Sequence, residues 1–531
     1  MSSVPEAASD RLWLRAQRYI AENQITAAKI TLESLVQRNP MHNSARMLLA
    51  SVVLSEGRVR EAARQAAIAS RMLPADAEPV ITCAHCLLRV GETVAARECL
   101  ERFDARLVAD PRQLTALAHA YQTLGDHRTA LALMDRAKAR GYGDADFLYF
   151  RSLQLQFNGR IEEAQRELEA CLKLGPTYGR ASLTLARMRK QTPESNHLDY
   201  IRRQLERVER GSEDHGAFEF AQFKVLEDLG RYDEAFDALA RGNAVMYGRQ
   251  RHDIERERRL FDALIERTPR EFLDRAGAAV EGPMPIFVVG LPRSGTTLLD
   301  RILDNHSQVT STGERSDFPR QLRWAADRHG NEIVDEAVLE RLHDIDYAEL
   351  GRRYLAQTQW RANGKRFFVD KLPPNYMLVG MIHRALPQAP ILHMVRDPMD
   401  VCFSNYKALF GDSYAYSYDL DALAAHYRNY RRLMDHWHTA LPGRVLDVRY
   451  NDLVAEPEAA AARILSHCGL PIEHGTTDLT RNTSATDTLS SAQVREPIHA
   501  RTIGEWRRYE RQLAPLGPKL PPGENSKFLM R

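Results

Sequence analysis

Gly290-Leu-Pro-Arg-Ser-Gly295-Thr296-Thr297 is the stretch whose residue types and spacing could do chemistry. An apolar β-branched run, Ile286 to Val289, precedes it and reads as a buried strand, and Leu298, Leu299, Ile302 and Leu303 follow at helical spacing. A glycine-bounded loop between a strand and a helix N-terminus gathers backbone N–H groups and the positive end of the helix dipole, where a phosphate-like anion sits. Gly290-x4-Gly295 has phosphate-loop spacing, but Thr296 stands where a nucleotide triphosphatase carries lysine. The loop therefore suits a smaller anion, with Arg293 as its cation.

Later stretches supply the partners such a loop needs. Phe367-Phe-Val-Asp-Lys371 reads as a buried strand ending in a cation, at the edge where parallel sheets bind ligands. Ile391 to Val395 is the next strand and runs into Arg396, with Ser404 eight residues on in the following helix. An arginine fork and a serine hydroxyl are groups that suit a phosphomonoester. Val445 to Arg449 reads as a last central strand before Tyr450-Asn-Asp-Leu453.

These motifs resemble the sulfotransferase family, whose donor is 3′-phosphoadenosine 5′-phosphosulfate (PAPS), and within it the tyrosylprotein sulfotransferase type, in R-S-G-T-T-L and in the downstream Gly313-Glu314. The resemblance runs from near residue 284 to near 510. It implies that Pro292, Arg293, Ser294, Gly295, Thr296 and Thr297 bind the 5′-phosphosulfate, that Arg396 and Ser404 bind the 3′-phosphate, and that Tyr450 contacts the donor. It makes Glu314 the general base, since transfer to a hydroxyl needs a group that takes its proton. His306 is the alternative base. Lys371 matches the lysine that stabilises the departing phosphate. In Ser490-Ser-Ala-Gln-Val-Arg-Glu-Pro, Ser490 matches a serine near the sulfuryl centre, and Ser491, Gln493, Val494 and Arg495 line the donor pocket. No metal is implied. The chain departs from the family in Gly-Glu-Arg-Ser-Asp317, where the acceptor-side arginine is displaced, and at Glu505, where a lysine is usual; Arg501 or Arg507 stands in for that charge. Two other readings stay open: a P-loop kinase, which leaves Arg396 and Ser404 without a role, and a repeat scaffold with an inactive nucleotide-binding domain.

The amino-terminal half is built differently. Gly57, Gly91, Gly125 and Gly159 are 34 residues apart, each followed five residues later by Ala62, Ala96, Ala130 and Ala164, and Asn23 with Ala28 extends the phase backwards. That period belongs to tetratricopeptide (TPR) helix pairs, in which glycine turns the chain and alanine lets helices approach. Gly230-Arg-Tyr-Asp-Glu-Ala235 repeats the phrase out of register, and Lys190 to His197 marks the break. The fold class expected is thus an α-helical TPR solenoid (residues 1–190), further helical repeats and linker (191–280), an α/β P-loop-like sulfotransferase domain with a central parallel sheet (281–515) and a tail (516–531).

At 531 residues the chain has room for roughly three domain-sized units. Its 73 basic and 71 acidic residues argue against a polybasic nucleic-acid binder. No uncharged apolar run is long enough to span a bilayer, and the polar start carries no signal core, so a cytoplasmic protein is expected. Six cysteines do not make a disulfide framework, and Cys83-Ala-His-Cys86 reads as small residues on a helix face. The array offers a surface for a peptide or protein partner, or for a homodimer. The acceptor stays open among protein tyrosine, lipid, glycan and small phenol.

Overall fold

The computed structural model describes residues 4–275, 277, 280–482 and 497–521. Paired helices fill the first half: Val4–Ala21 with Ile25–Arg38, Asn43–Ser55 with Val59–Ser70, Ala77–Arg89 with Thr93–Arg102, Pro111–Leu124 with His127–Ala139, and Ala145–Phe157 with Ile161–Leu174. Gly57, Gly91, Gly125 and Gly159 all adopt left-handed backbone, and Asn23, the non-glycine residue most tolerant of it, does so in the first pair. Ala28, Ala62, Ala96, Ala130 and Ala164 are fully buried, as close helix approach requires. Cys83 is buried on its helix, its Sγ 3.8 Å from the Ala66 carbonyl.

The period breaks where the polar stretch 190–197 stands. Helix Gly179–Met188 packs not on the short helix Leu198–Leu205 that follows but on Glu213–Asp228. Only glycine fits at 179, where a Cβ would lie 2.3 Å from the Asp214 carbonyl oxygen. Glu213–Asp228 and Tyr232–Gln250 form the next pair, turned by left-handed Gly230. From here one continuous cluster of buried side chains runs from Leu183 to Leu520, so the last helical pairs and the second half share a core.

That second half is built on five parallel strands: β1 (Met284–Gly290), β2 (Val309–Ser311), β3 (Phe367–Lys371), β4 (Ile391–Val395) and β5 (Val445–Arg449), in the order β2-β3-β1-β4-β5. β1 is central because it is apolar on both faces. Ile286 and Val288 pack with Leu299 and Ile302 of the helix Thr296–Asp304, while Phe287 and Val289 join the larger core. The chain moves outward from β1 on one side and then returns to place β4 on the other. Such a switch opens a crevice at the strand C-termini, between the loop after β1 and the residue after β4. β5 is an edge strand rather than a central one. Its alternating Val-Leu-Asp-Val-Arg keeps one face polar, and Tyr450 already begins a helix.

Candidate active site

The loop after β1 is held by close contacts. At Gly290 a Cβ would stand 2.7 Å from the Met394 carbonyl oxygen, and at Gly295 it would stand 2.6 Å from Cδ2 of Tyr450. Arg293 takes a left-handed backbone, uncommon for a long side chain and a mark of a site whose surroundings impose it. Asn405 donates to the Pro292 carbonyl at 2.7 Å. The helix Thr296–Asp304 starts at Gly295 with no side-chain cap, so its first N–H groups are open to a ligand.

Arg396, just beyond β4, donates to the Arg293 carbonyl at 3.0 Å and to the Thr502 carbonyl at 2.6 Å. Its guanidinium lies over the Tyr450 ring at 4.8 Å, and Tyr450 in turn hydrogen-bonds Thr502 at 3.0 Å. The structure therefore brings Arg396, Tyr450 and the loop together. Ser404 is buried on the helix Pro398–Tyr406, whose Asp400 accepts from the Gly504 N–H at 2.9 Å. Lys407 pairs with Glu505 at 2.6 Å, so the acid that replaces the expected lysine neutralises a cation next to the site.

Register positions the second pair. β2 and β3 align Ser311 with Val369, so Glu314, three residues past the first, meets Lys371, two past the second. Thr312 fastens the loop by donating to the Val369 carbonyl at 2.8 Å. Lys371 is fully buried, and its ammonium lies 2.6 Å from Oε1 of Glu314, which keeps contact with solvent. His306 is buried away from this pair. Its Nδ1 accepts from the Gln308 N–H at 3.1 Å and its Nε2 lies 3.0 Å from the Pro471 carbonyl. Ser490, Ser491, Gln493, Val494 and Arg495 lie outside the described residues.

Several neighbours escaped sequence reasoning. Arg187, on the array helix Gly179–Met188, is enclosed by protein yet reached by solvent, and burial together with the Arg293 charge pushes it down to about 10. Arg293 is itself lowered by burial and by Arg396. Tyr414, left-handed and packed edge-on against Phe410, feels the charge of Glu314, which adds to burial in raising its phenol. Two acids support the floor. Asp370 accepts from Tyr354 at 2.7 Å and is pushed up to about 7 by burial; Asp300 accepts from Ser311 at 2.9 Å and is pushed up to about 6. Arg187, Tyr414 and Asp300 carried no local signal, whereas Asp370 stands beside Lys371 at the end of a strand the sequence marks.

Arg293, Lys371 and Arg396 gather in this crevice, and among the described residues the buried Ser294 Oγ and Arg396 Nε have no hydrogen-bond partner. Buried polar atoms are ordinarily satisfied. An uncapped helix start, two open polar atoms and clustered cations fit a ligand that is anionic at two points.

The sulfotransferase family model matches residues 285–474. An uncharacterized protein of Aquifex aeolicus (strain VF5) is 32% identical over 306 residues, 56% of this chain and 40% of its own length. Protein-tyrosine sulfotransferase 2 of Gallus gallus is 26% identical over 249 residues, 42% of this chain and 62% of its own length. The chain thus spans less than two thirds of either relative. A solved sulfotransferase domain, from the olefin synthase of Synechococcus PCC 7002, aligns with a TM-score of 0.32 at 21% identity, over 43% of this chain and 90% of that one. Among the described residues no helix is long and apolar enough to cross a membrane. Residues 285–474 are a sulfotransferase-family domain, carried behind an array of TPR-type helix pairs.

Proposed function

We propose that this chain transfers a sulfuryl group from PAPS to an acceptor hydroxyl, and that the carrying observation is the Glu314–Lys371 pair at 2.6 Å beside an uncapped, cation-rich loop. When bound, PAPS supplies an activated sulfuryl group with adenosine 3′,5′-bisphosphate as leaving group. Pro292 to Thr297 hold its 5′ side through loop amides, the Ser294 hydroxyl and Arg293. Arg396 and Ser404 hold its 3′-phosphate, and Tyr450 packs beside them. Ser490, Ser491, Gln493, Val494 and Arg495 complete the pocket in this reading.

Glu314 takes the proton of the attacking hydroxyl. Its Oε1 accepts a hydrogen bond from a buried ammonium before substrate arrives, and Lys371 then shares its charge with the oxygen on which negative charge develops. Positioning and electrostatics do the rest, as in phosphoryl transfer. His306, with both nitrogens engaged by backbone, is poorly placed for the same work. The acceptor is proposed to be a tyrosine hydroxyl of a peptide or protein, with the array forming part of the surface that receives it.

Glu314→Gln and Lys371→Ala should each lower kcat by about 10²–10⁴-fold while adenosine 3′,5′-bisphosphate still binds. Full activity in Glu314→Gln, or a preference for ATP with magnesium, would overturn the reading. Incubation with radiolabelled PAPS and a lysate identifies the acceptor: label in protein supports the peptide proposal, and label confined to lipid or glycan removes it.

A further inference from the structure

The equally spaced turns of the array form a row that sits against the catalytic domain. The Gly57 carbonyl accepts from the His329 N–H at 3.1 Å, and the Gly91 carbonyl accepts from Gln321 at 2.6 Å. Trp324 and Trp360 pack into the array's own apolar clusters. The Gly125 turn reaches the residues beside Glu314. The Leu124 carbonyl accepts from Arg361 at 2.6 Å, and at Gly125 a Cβ would stand 3.0 Å from the guanidinium of Arg315, the residue after Glu314.

Arg315 closes its own loop by donating to the Thr312 carbonyl at 2.9 Å, and its far end lies 3.4 Å from Nε2 of His127. An arginine can only donate, so Nε2 accepts, and Nδ1 then carries the hydrogen that meets Gln154 Oε1 at 3.1 Å. The imidazole is further fixed edge-on against Phe157 at 5.0 Å. Two residues past Arg315, Asp317 pairs at 3.0 Å with buried Arg361, which also hangs from Leu124. The array thus holds the segment after Glu314 at two points, Arg315 and Asp317, and Arg315 ties Thr312, before Glu314, to the first of them.

We propose that the turn Leu124–His127 is a positioning element of the catalytic centre, holding the Glu314 loop in reach of Lys371 through Arg315 and Arg361. The inference rests on the reading of Glu314 as base. The array is then part of the enzyme rather than an appended recognition module, and its Gly125 turn cannot move without moving the base.

The test uses the full chain and four variants: Arg315→Gln, His127→Ala, His127→Gln and the double variant Arg315→Gln/His127→Ala. Arg315→Gln and His127→Ala should lower kcat about 10-fold or more, with adenosine 3′,5′-bisphosphate affinity nearly unchanged. His127→Gln, whose Oε1 can stand where Nε2 stands, should recover most of kcat. The double variant should be no worse than the poorer single one, because both remove one contact. Unchanged kcat in the singles, additive losses, or parallel loss of bisphosphate binding would overturn the proposal. Should Arg315→Gln fail to fold, the two His127 variants decide. An active Glu314→Gln would instead remove the reading beneath it.

Discussion

Asp300 shows how burial can outweigh a residue's hydrogen bond and a nearby cation. Its carboxyl is pushed up to about 6 by desolvation, although Ser311 donates to it and Lys371 stands near. The folded chain therefore keeps a proton that the unfolded chain releases near pH 4. Stability from this group is full below about pH 4 and is lost as pH rises through 6. Asp300→Asn, which can still accept from Ser311, should raise the melting temperature by roughly 2 °C at pH 8 and leave it unchanged at pH 4. A gain of equal size at both pH values would show that ionisation is not the cause. Asp370, pushed up to about 7 by the same effect, adds to the same loss of stability over a window that extends higher.

Among the elements, the loop after β1 is one whose glycines cannot be exchanged. Gly230 and Gly295 both have positive φ, yet a Cβ at Gly230 meets nothing within 4 Å while one at Gly295 would strike Tyr450 at 2.6 Å. Gly230→Ala should cost about 1–2 kcal/mol of stability and leave turnover intact. Gly295→Ala should displace Tyr450 and with it Arg396, weakening bisphosphate binding by ~10-fold or more; calorimetric titration of both variants separates the two cases. This loop, β1, β3, β4 and the 34-residue helical period were legible in the sequence, because continuous apolar runs and spaced glycines are local signals. The edge position of β5 was not, since Val445–Arg449 alternates over too few residues to show which side lacks a neighbour. Arg315 and His127 meet across 188 positions of chain, and neither type nor spacing announces a contact of that kind.

For the whole molecule the telling quantity is where charge collects, not how much there is. The chain is nearly balanced at 73 basic to 71 acidic residues, yet Arg293, Lys371 and Arg396 converge at the strand C-termini, and the array adds Arg187 from more than a hundred residues upstream. A guanidinium pushed down by its neighbour's charge, as Arg187 is by Arg293, is unfavourable until an anion stands between the two, and the pair then strengthens its binding. Arg187→Met should therefore raise the melting temperature of the ligand-free protein, since it removes a buried, repelled charge. The same variant should gain less stability from added PAPS, with KM for PAPS raised about 10-fold, the ~1.4 kcal/mol expected of one lost charge-assisted contact. Thermal melts with and without donor read both effects on one sample. If Arg187→Met is less stable without ligand and binds PAPS normally, Arg187 serves packing alone, and the array's share in the site is confined to the turn beneath Arg315.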